Sequence, residues 1–322
     1  MKSTPAKIMR DVLIEEVYKR MFHNENIFFL SADFGSPALD KLRKKFKDRF
    51  INVGIAEQNL INLSAGLALE GFTVYAYAIA PFLTMRAYEQ LRVNLSLTSQ
   101  IKDINVNLIG VGAGVSYEVS GPTHHCFEDI SIIRTLPNFM VFSPSDWQLA
   151  ESFVDLSINI KKPKYIRLDG KPLPQIYNNV ERFDLENGFC ELLKGEKVCI
   201  VSTGYMTHKA LKIAKEIKKS KIDLGVIDLF RLKPIDETLL FERLKGYESV
   251  FTIEEAFIDK GGLDSLVLNI LKNKNSRIRL MNFGFKDKYV FDMGSRDYLY
   301  RLHGFDEESI IKTIKGFEQS FC

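Results

Sequence analysis

Apolar residues follow two alternating periods along the first half of the chain. Short runs rich in β-branched and aromatic residues lie at Ile27 to Leu30, Phe72 to Ile79, Val106 to Val111, Met140 to Phe142 and Tyr165 to Leu168. Between them, apolar residues recur at helical spacing from Ile8 to Phe22, Glu57 to Leu69, Phe82 to Leu97 and Trp147 to Ile158. Strands alternating with helices predict an α/β fold with mostly parallel sheets. The pattern fails between Gly170 and Gly188, where Pro172, Pro174, Asn178 and Asn179 predict a connection between domains. A second set then begins: a strand from Lys197, a helix from Thr207 to Lys219, a strand at Leu224 to Asp228, a helix near Asp236 to Lys245 and a strand at Ser249 to Ile253. A last strand, Arg277 to Phe283, precedes short C-terminal helices. The expectation is two successive domains, residues 1–175 and 188–322.

One segment breaks the rule that apolar helices begin quietly. Phe50, Ile51 and Val53 read as a buried strand and Gly54 as a break, after which Leu60, Leu63 and Leu67 share a helical face. Glu57 therefore falls in the first helical turn. A carboxylate there is favoured by the helix dipole and the free backbone N–H groups, so a capping role explains it without chemistry. The setting offers a second explanation. Gln58 and Asn59 follow directly, while the rest of the helix is almost wholly apolar and so expected to be buried. Polar groups heading such a helix enter a cavity or an interface and need partners there. A carboxyl group in that position is suited to proton exchange with a bound base.

Composition narrows the function classes. With 46% hydrophobic and 26% charged residues over 322 positions, the chain can build more than one core, and a net charge of +3 argues for neither nucleic acid nor anionic membrane. Leu60 to Met85 carries a single charged residue, Glu70, over a length that could span a bilayer. Gly71 and Pro81 divide it into helix, turn, strand and new helix, so no membrane span is expected. The N-terminus is charged and lacks an apolar signal core, which makes a cytoplasmic location the default. Cys126, Cys190, Cys199 and Cys322 form no C-x-x-C pair and are expected as reduced thiols.

Three further motifs could carry chemistry. Gly110-Val111-Gly112-Ala113-Gly114 follows a strand but lacks the spacing of a dinucleotide fingerprint; a flexible ligand-facing loop is expected instead. It runs on to Gly121-Pro122-Thr123-His124-His125, where adjacent histidines point to different sides, so the pair alone makes no metal site. Phe82, Met85 and Tyr88 recur at i, i+3 and i+6 on one helical stripe, which suits core packing or a flat ligand equally.

These motifs together resemble the transketolase family and the 1-deoxyxylulose-5-phosphate synthases. Gly54-Ile55-Ala56-Glu57-Gln58-Asn59, followed by Ala65-Gly66-Leu67-Ala68, is similar to the family's pyrimidine-binding domain, and the likeness extends along nearly the whole chain. The resemblance implies thiamine diphosphate as cofactor, with a thiamine-diphosphate pyrimidine-binding fold followed by the family's C-terminal domain. It implies that Glu57 hydrogen-bonds the pyrimidine N1′ and promotes its imino tautomer. Phe82 would stack on the aminopyrimidine ring, Met85 and Tyr88 would line its pocket, and Asp33 would lie near the cofactor at the subunit interface. His124, the first histidine after Gly-Pro-Thr, would reach substrate hydroxyls and help move protons. Arg167, Arg10 and Ser36 would meet a sugar phosphate, because guanidinium groups grip phosphate in bidentate fashion. Where many transketolases carry an aspartate before that Gly-Pro-Thr-His, this chain has Ser120, a neutral donor and acceptor.

Full-length members hold the diphosphate through Mg²⁺ on a domain marked by Gly-Asp-Gly. No Gly-Asp-Gly occurs among the 322 residues, so no metal ligand is assigned here. The resemblance implies a partner: an N-terminal transketolase-like subunit carrying the Gly-Asp-Gly and Mg²⁺ site, most simply in a two-plus-two heterotetramer. The expected activity is transfer of a two-carbon ketol unit between sugar phosphates or related sugars. The alternatives are a beta subunit of a 2-oxoacid dehydrogenase, a 1-deoxyxylulose-5-phosphate synthase-like subunit, or a catalytically silent partner. The Ala56-Glu57-Gln58-Asn59 run and Thr123-His124-His125 favour the transketolase reading over the dehydrogenase.

Overall fold

The computed structural model describes residues 6–177 and 184–319. It is built on two α/β sheets and a small two-stranded one. In chain order the first part contains β1 (Lys7–Ile8), α1 (Met9–His23), β2 (Ile27–Ser31), α2 (Pro37–Lys45), β3 (Phe50–Asn52), α3 (Glu57–Leu69) and β4 (Thr73–Ile79). Two π-helical turns, Phe82–Arg86 and Leu91–Leu97, then flank the short α4 (Tyr88–Gln90). The part closes with β5 (Asn105–Val111), α5 (Asp129–Arg134), β6 (Met140–Phe142), α6 (Trp147–Asn159), β7 (Lys164–Leu168) and β8 (Pro172–Leu173). The second part holds β9 (Cys190–Leu193), β10 (Val198–Ser202), α7 (Met206–Ile217), β11 (Leu224–Asp228), β12 (Arg231–Lys233), α8 (Glu237–Leu244), β13 (Ser249–Phe257), α9 (Leu263–Asn273), β14 (Arg279–Phe285), α10 (Arg296–His303) and α11 (Glu307–Gln319).

The larger sheet has the order β12-β6-β7-β5-β4-β2-β3 and is parallel except for β12. The smaller runs β14-β13-β10-β11-β9 and is parallel except for β9. Helices cover both faces of a parallel sheet, so its central strands are apolar on both sides. Thr73–Ile79 and Asn105–Val111 show this, with Val74, Tyr75, Ala76, Tyr77, Val106, Leu108 and Ile109 all fully buried. The α/β class with mostly parallel sheets is what the alternating pattern predicts.

Several expectations need revision. Pro172–Leu173, read as part of a connection, pairs with β1 as an antiparallel strand; residues 178–183 of that connection, and Cys322, lie outside the described residues. Arg231–Lys233 leaves the second part and adds to the first sheet beside β6, so the two parts share a sheet edge. The glycine-rich stretch after β5 is packed against the rest of the chain. Gly114 pairs with Cys126 in a β-bridge, Val115 and Ser116 are fully buried, and the Glu255 side chain fills the place where a Cβ on Gly114 would sit. The expected helix from Phe82 to Leu97 contains π turns, whose i→i+5 bonds add a residue to each turn.

Candidate active site

Four of the residues singled out by the sequence lie at the carboxyl ends of the parallel strands, the place where open α/β sheets bind ligands. Asp33 follows β2, Glu57 follows β3, Phe82 follows β4, and the loop after β5 carries His124.

Glu57 opens α3, and its carboxylate is buried, with only 3% of its side chain exposed. Gly54, at φ +75°, makes the turn that points the chain into this helix, a backbone conformation natural to glycine. The partner of Glu57 is Arg86: Nη1 donates to Oε2 across 2.6 Å. The Arg86 guanidinium also lies over the Phe82 ring, 4.8 Å from its centroid. Phe82 in turn meets the His124 imidazole edge to face at 5.3 Å. Glu57, Arg86, Phe82 and His124 thus form one continuous chain of contacts. Arg86 was not assigned from the sequence, although it sits inside the stripe that was.

Asp33 occupies the left-handed region at φ +51°, a conformation Asp tolerates when its surroundings bond it. Those bonds come from Asn52, whose Nδ2 donates to Asp33 Oδ1 at 2.9 Å while its Oδ1 accepts from the N–H groups of Asp33 and Gly54. One amide therefore ties the end of β2 to the turn that aims Glu57. Asn52, too, lacked any local signal.

Phe82, Met85 and Arg86 form one side of an open cleft of about 480 Å³. Pro122, Thr123, His125 and Glu128 come from the loop after β5, and Tyr289 and Phe291 come from the second part of the chain. The α3 helix is only half covered: Gln58, Asn59, Asn62 and Leu63 are exposed, where full burial was expected. Beside them Val93 and Leu97 are also exposed.

The placements of four residues correct the sequence reading. Tyr88 does not join Phe82 and Met85 on the cleft; its hydroxyl bonds to Ile132 O at 3.1 Å and Thr135 Oγ1 at 3.0 Å beside α5. The extra residue in the π turn rotates Tyr88 out of the stripe that regular helical spacing predicts. Arg167 is not presented to a substrate phosphate. It is buried, with Nε donating to Asp129 Oδ2 at 2.7 Å and Nη2 to the carbonyls of Cys126 and Glu255. Arg10 and Ser36 do come together, but on Asp11: Arg10 Nε and Ser36 Oγ each donate to Asp11 Oδ1 at 2.8 Å, and Ser36 caps α2. A carboxylate shared by both disfavours a second anion there, and neither residue lines the cleft.

Cys126 is fully buried, and burial pushes its thiol well above the ordinary range, which fits a packed residue and not a nucleophile. Among the described residues no group of three or more His, Cys, Asp or Glu is placed to hold a metal ion, and no helix is long and apolar enough to cross a membrane.

The site brings together a buried carboxylate, a part-exposed phenylalanine and a histidine against that ring. Comparisons with known proteins show the family. The family described as "Transketolase, pyrimidine binding domain" matches residues 6–175, and "Transketolase, C-terminal domain" matches residues 190–310. The chain is 32% identical over 308 residues to an apulose-4-phosphate transketolase subunit of Actinobacillus succinogenes, covering 95% of this chain and 97% of that one. The subunit of the same name from Phocaeicola vulgatus is 30% identical and covers 88% of each. A solved split-gene transketolase, described as an inactive β4 tetramer, superposes with a TM-score of 0.84 at 31% identity, covering 96% of this chain and 97% of that one. The chain belongs to the transketolase family, a class of transferases, and matches its C-terminal, split-type subunits over nearly their whole length. Thiamine diphosphate is the cofactor that this family implies.

Proposed function

We propose that this chain is the C-terminal subunit of a split transketolase-like enzyme that transfers a two-carbon ketol unit between sugar phosphates. The observation that carries the reading is the continuous contact from buried Glu57 through Arg86 and Phe82 to His124 at the carboxyl ends of the strands. The residues present fit the pyrimidine half of thiamine diphosphate. Glu57 would hold the ring N1′ and keep or release a proton at its carboxyl oxygen, Phe82 would offer a flat face, and Met85 an apolar edge. When bound, the cofactor supplies the carbon nucleophile that carries the ketol unit. His124, reaching out beside Phe82, would accept and return protons at substrate hydroxyls. Asp33 would act through Asn52 to position the Glu57 turn.

The other half of the site is assigned to a partner chain carrying Gly-Asp-Gly, with Mg²⁺ held there, in a two-plus-two heterotetramer placed in the cytoplasm. Supporting this are the exposed apolar Leu63, Val93 and Leu97 on adjoining helical segments, a surface that suits an interface. The solved neighbour described as an inactive β4 tetramer points the same way. We place the domain boundaries at residues 1–175 and 188–322. Sugars of the kind that the apulose-4-phosphate transketolase relatives are named for are the first substrates to try.

The test co-purifies this chain with a Gly-Asp-Gly partner and measures ketol transfer with thiamine diphosphate and Mg²⁺. Activity should need both chains and should fall by at least a hundredfold, about the lower end of general acid–base contributions, on Glu57→Ala. Full turnover by the isolated chain would end the split-site reading. An active Glu57→Ala complex would end the role given to that residue.

A further inference from the structure

The residues assigned to cofactor and proton transfer leave one buried polar group in the cleft unused. His125 is only 2% exposed, lies in the cleft wall, and neither of its ring nitrogens completes a hydrogen bond. Its position follows from the turn at Gly121, whose carbonyl accepts from the N–H groups of both His124 and His125 and sends the two rings to different sides. His124 goes to Phe82, and His125 goes inward beside the Phe127 ring at 5.6 Å. A buried imidazole with two unmet nitrogens is costly unless something meets them.

Two more polar groups share that wall. Glu128 Oε2 accepts from the Phe127 N–H at 3.0 Å, and the carboxyl also meets the Tyr289 hydroxyl. Tyr289 arrives from the second part of the chain, its ring edge against Phe257 at 5.9 Å. Burial holds the His125 imidazole below its ordinary range, so it stays neutral and presents one donor and one acceptor; the Glu118 main chain pulls the other way without completing a bond. Burial raises the Glu128 carboxyl, and the charge of Glu128 raises the Tyr289 phenol, which keeps the phenol a donor. The wall therefore offers a neutral imidazole with a free donor and acceptor beside a carboxyl–phenol pair, surrounded by apolar Pro122 and Phe291. Neutral and anionic groups of this kind match the alternating donor and acceptor character of a polyol, and do not match a phosphate.

We propose that His125, with Glu128 and Tyr289, is a positioning set that binds the hydroxyl chain of the sugar in this cleft, so that the second part of the chain takes part in substrate selection. The inference rests on the ketol-transfer reading for the identity of the ligand, not for the existence of the subsite. Removal of His125 takes one or two hydrogen bonds from the bound sugar and leaves the residues assigned to the pyrimidine ring untouched.

The test uses the complex with the partner chain and two probes, ribose 5-phosphate, which has a hydroxyl chain, and glycolaldehyde, which lacks one. His125→Leu should weaken ribose 5-phosphate binding in calorimetry about tenfold, the size expected for a lost hydrogen bond or two. Its KM should rise by the same factor, with kcat within about twofold and glycolaldehyde unaffected. His125→Gln, which keeps a donor and an acceptor, should recover most of the loss, and Tyr289→Phe should lose about threefold. Thiamine diphosphate affinity, read by fluorescence quenching, should be unchanged in all three. Equal effects on the two probes, a loss of cofactor affinity in His125→Leu, or no sugar binding by the native complex would overturn the inference. A native complex that binds ribose 5-phosphate through His125 but transfers no ketol unit would overturn the proposed function alone.

Discussion

Arg86 donates from Nη1 to Glu57 Oε2 at 2.6 Å while its guanidinium covers the Phe82 ring, so one cation engages both groups proposed to face the pyrimidine ring. The Glu57 side chain is 3% exposed and that of Arg86 44%. The pair is therefore neither a surface ion pair, worth under about 1 kcal/mol, nor a buried one whose disruption costs about 3–5 kcal/mol.

An intermediate coupling follows. A double-mutant cycle of Glu57→Gln and Arg86→Ala in the isolated chain, read by chemical unfolding, should give about 1–2 kcal/mol between the two side chains. Arg86→Ala alone should destabilise more than Glu57→Gln alone, because it leaves the buried carboxylate without its counter-ion. A coupling near zero would mean that Arg86 does not hold Glu57 in solution.

Arg167 and Asp129 are the opposite case, because both side chains are buried and the arginine also reaches the Glu255 carbonyl on β13. The bond to Glu255 joins the first sheet to the second. Arg167→Leu leaves Asp129 charged and unpaired apart from the Tyr165 hydroxyl, and should cost about 3–5 kcal/mol of stability. In the complex, the ratio of KM between a phosphorylated sugar and its unphosphorylated counterpart should not change in this variant. A change in that ratio at unaltered stability would restore Arg167 as a phosphate ligand.

The placement of Glu57 was legible because two periods meet there: a strand ending at Asn52, a glycine break and an apolar helix whose bounds, Glu57–Leu69, match the spacing. The helix α9 has equally plain spacing in Leu263, Leu266, Val267, Ile270 and Leu271, all buried, and was open to the same reading. Other features had no local signal. Tyr88 left its stripe because π turns change the residue count per turn, which apolar spacing does not encode. Arg167 reads as a strand-end cation until Asp129, Tyr165 and Glu255 are brought around it by the fold. Arg231–Lys233 joins a sheet made by residues far earlier in the chain, and Tyr289 and Phe291 enter the cleft from the second part. Local pattern fixes elements, and long-range packing decides which side chains are spent on structure.

Asp228 gives the pH dependence. At the end of β11 its carboxyl accepts from Ser145 Oγ at 2.5 Å, Tyr177 OH at 2.8 Å and Thr207 Oγ1 at 2.8 Å, bonds that favour the ionised form. Burial outweighs them and, with the charge of Asp146, pushes this carboxyl up to about 7. An unfolded aspartate titrates near 4, so between about pH 4 and about pH 7 the folded chain holds a proton that the unfolded chain has lost. The stabilisation is full below that window and is lost as pH rises through it, at up to about 1.4 kcal/mol per pH unit. Glu254, pushed up to about 8 by burial, contributes with the same sign. Asp228→Asn, close in shape and never charged, should gain about 2–3 kcal/mol on the native chain between about pH 5 and about pH 8 in chemical unfolding. Parallel stability curves for the two proteins across that range would show that Asp228 is already ionised when folded, and that its three hydroxyl donors outweigh its burial.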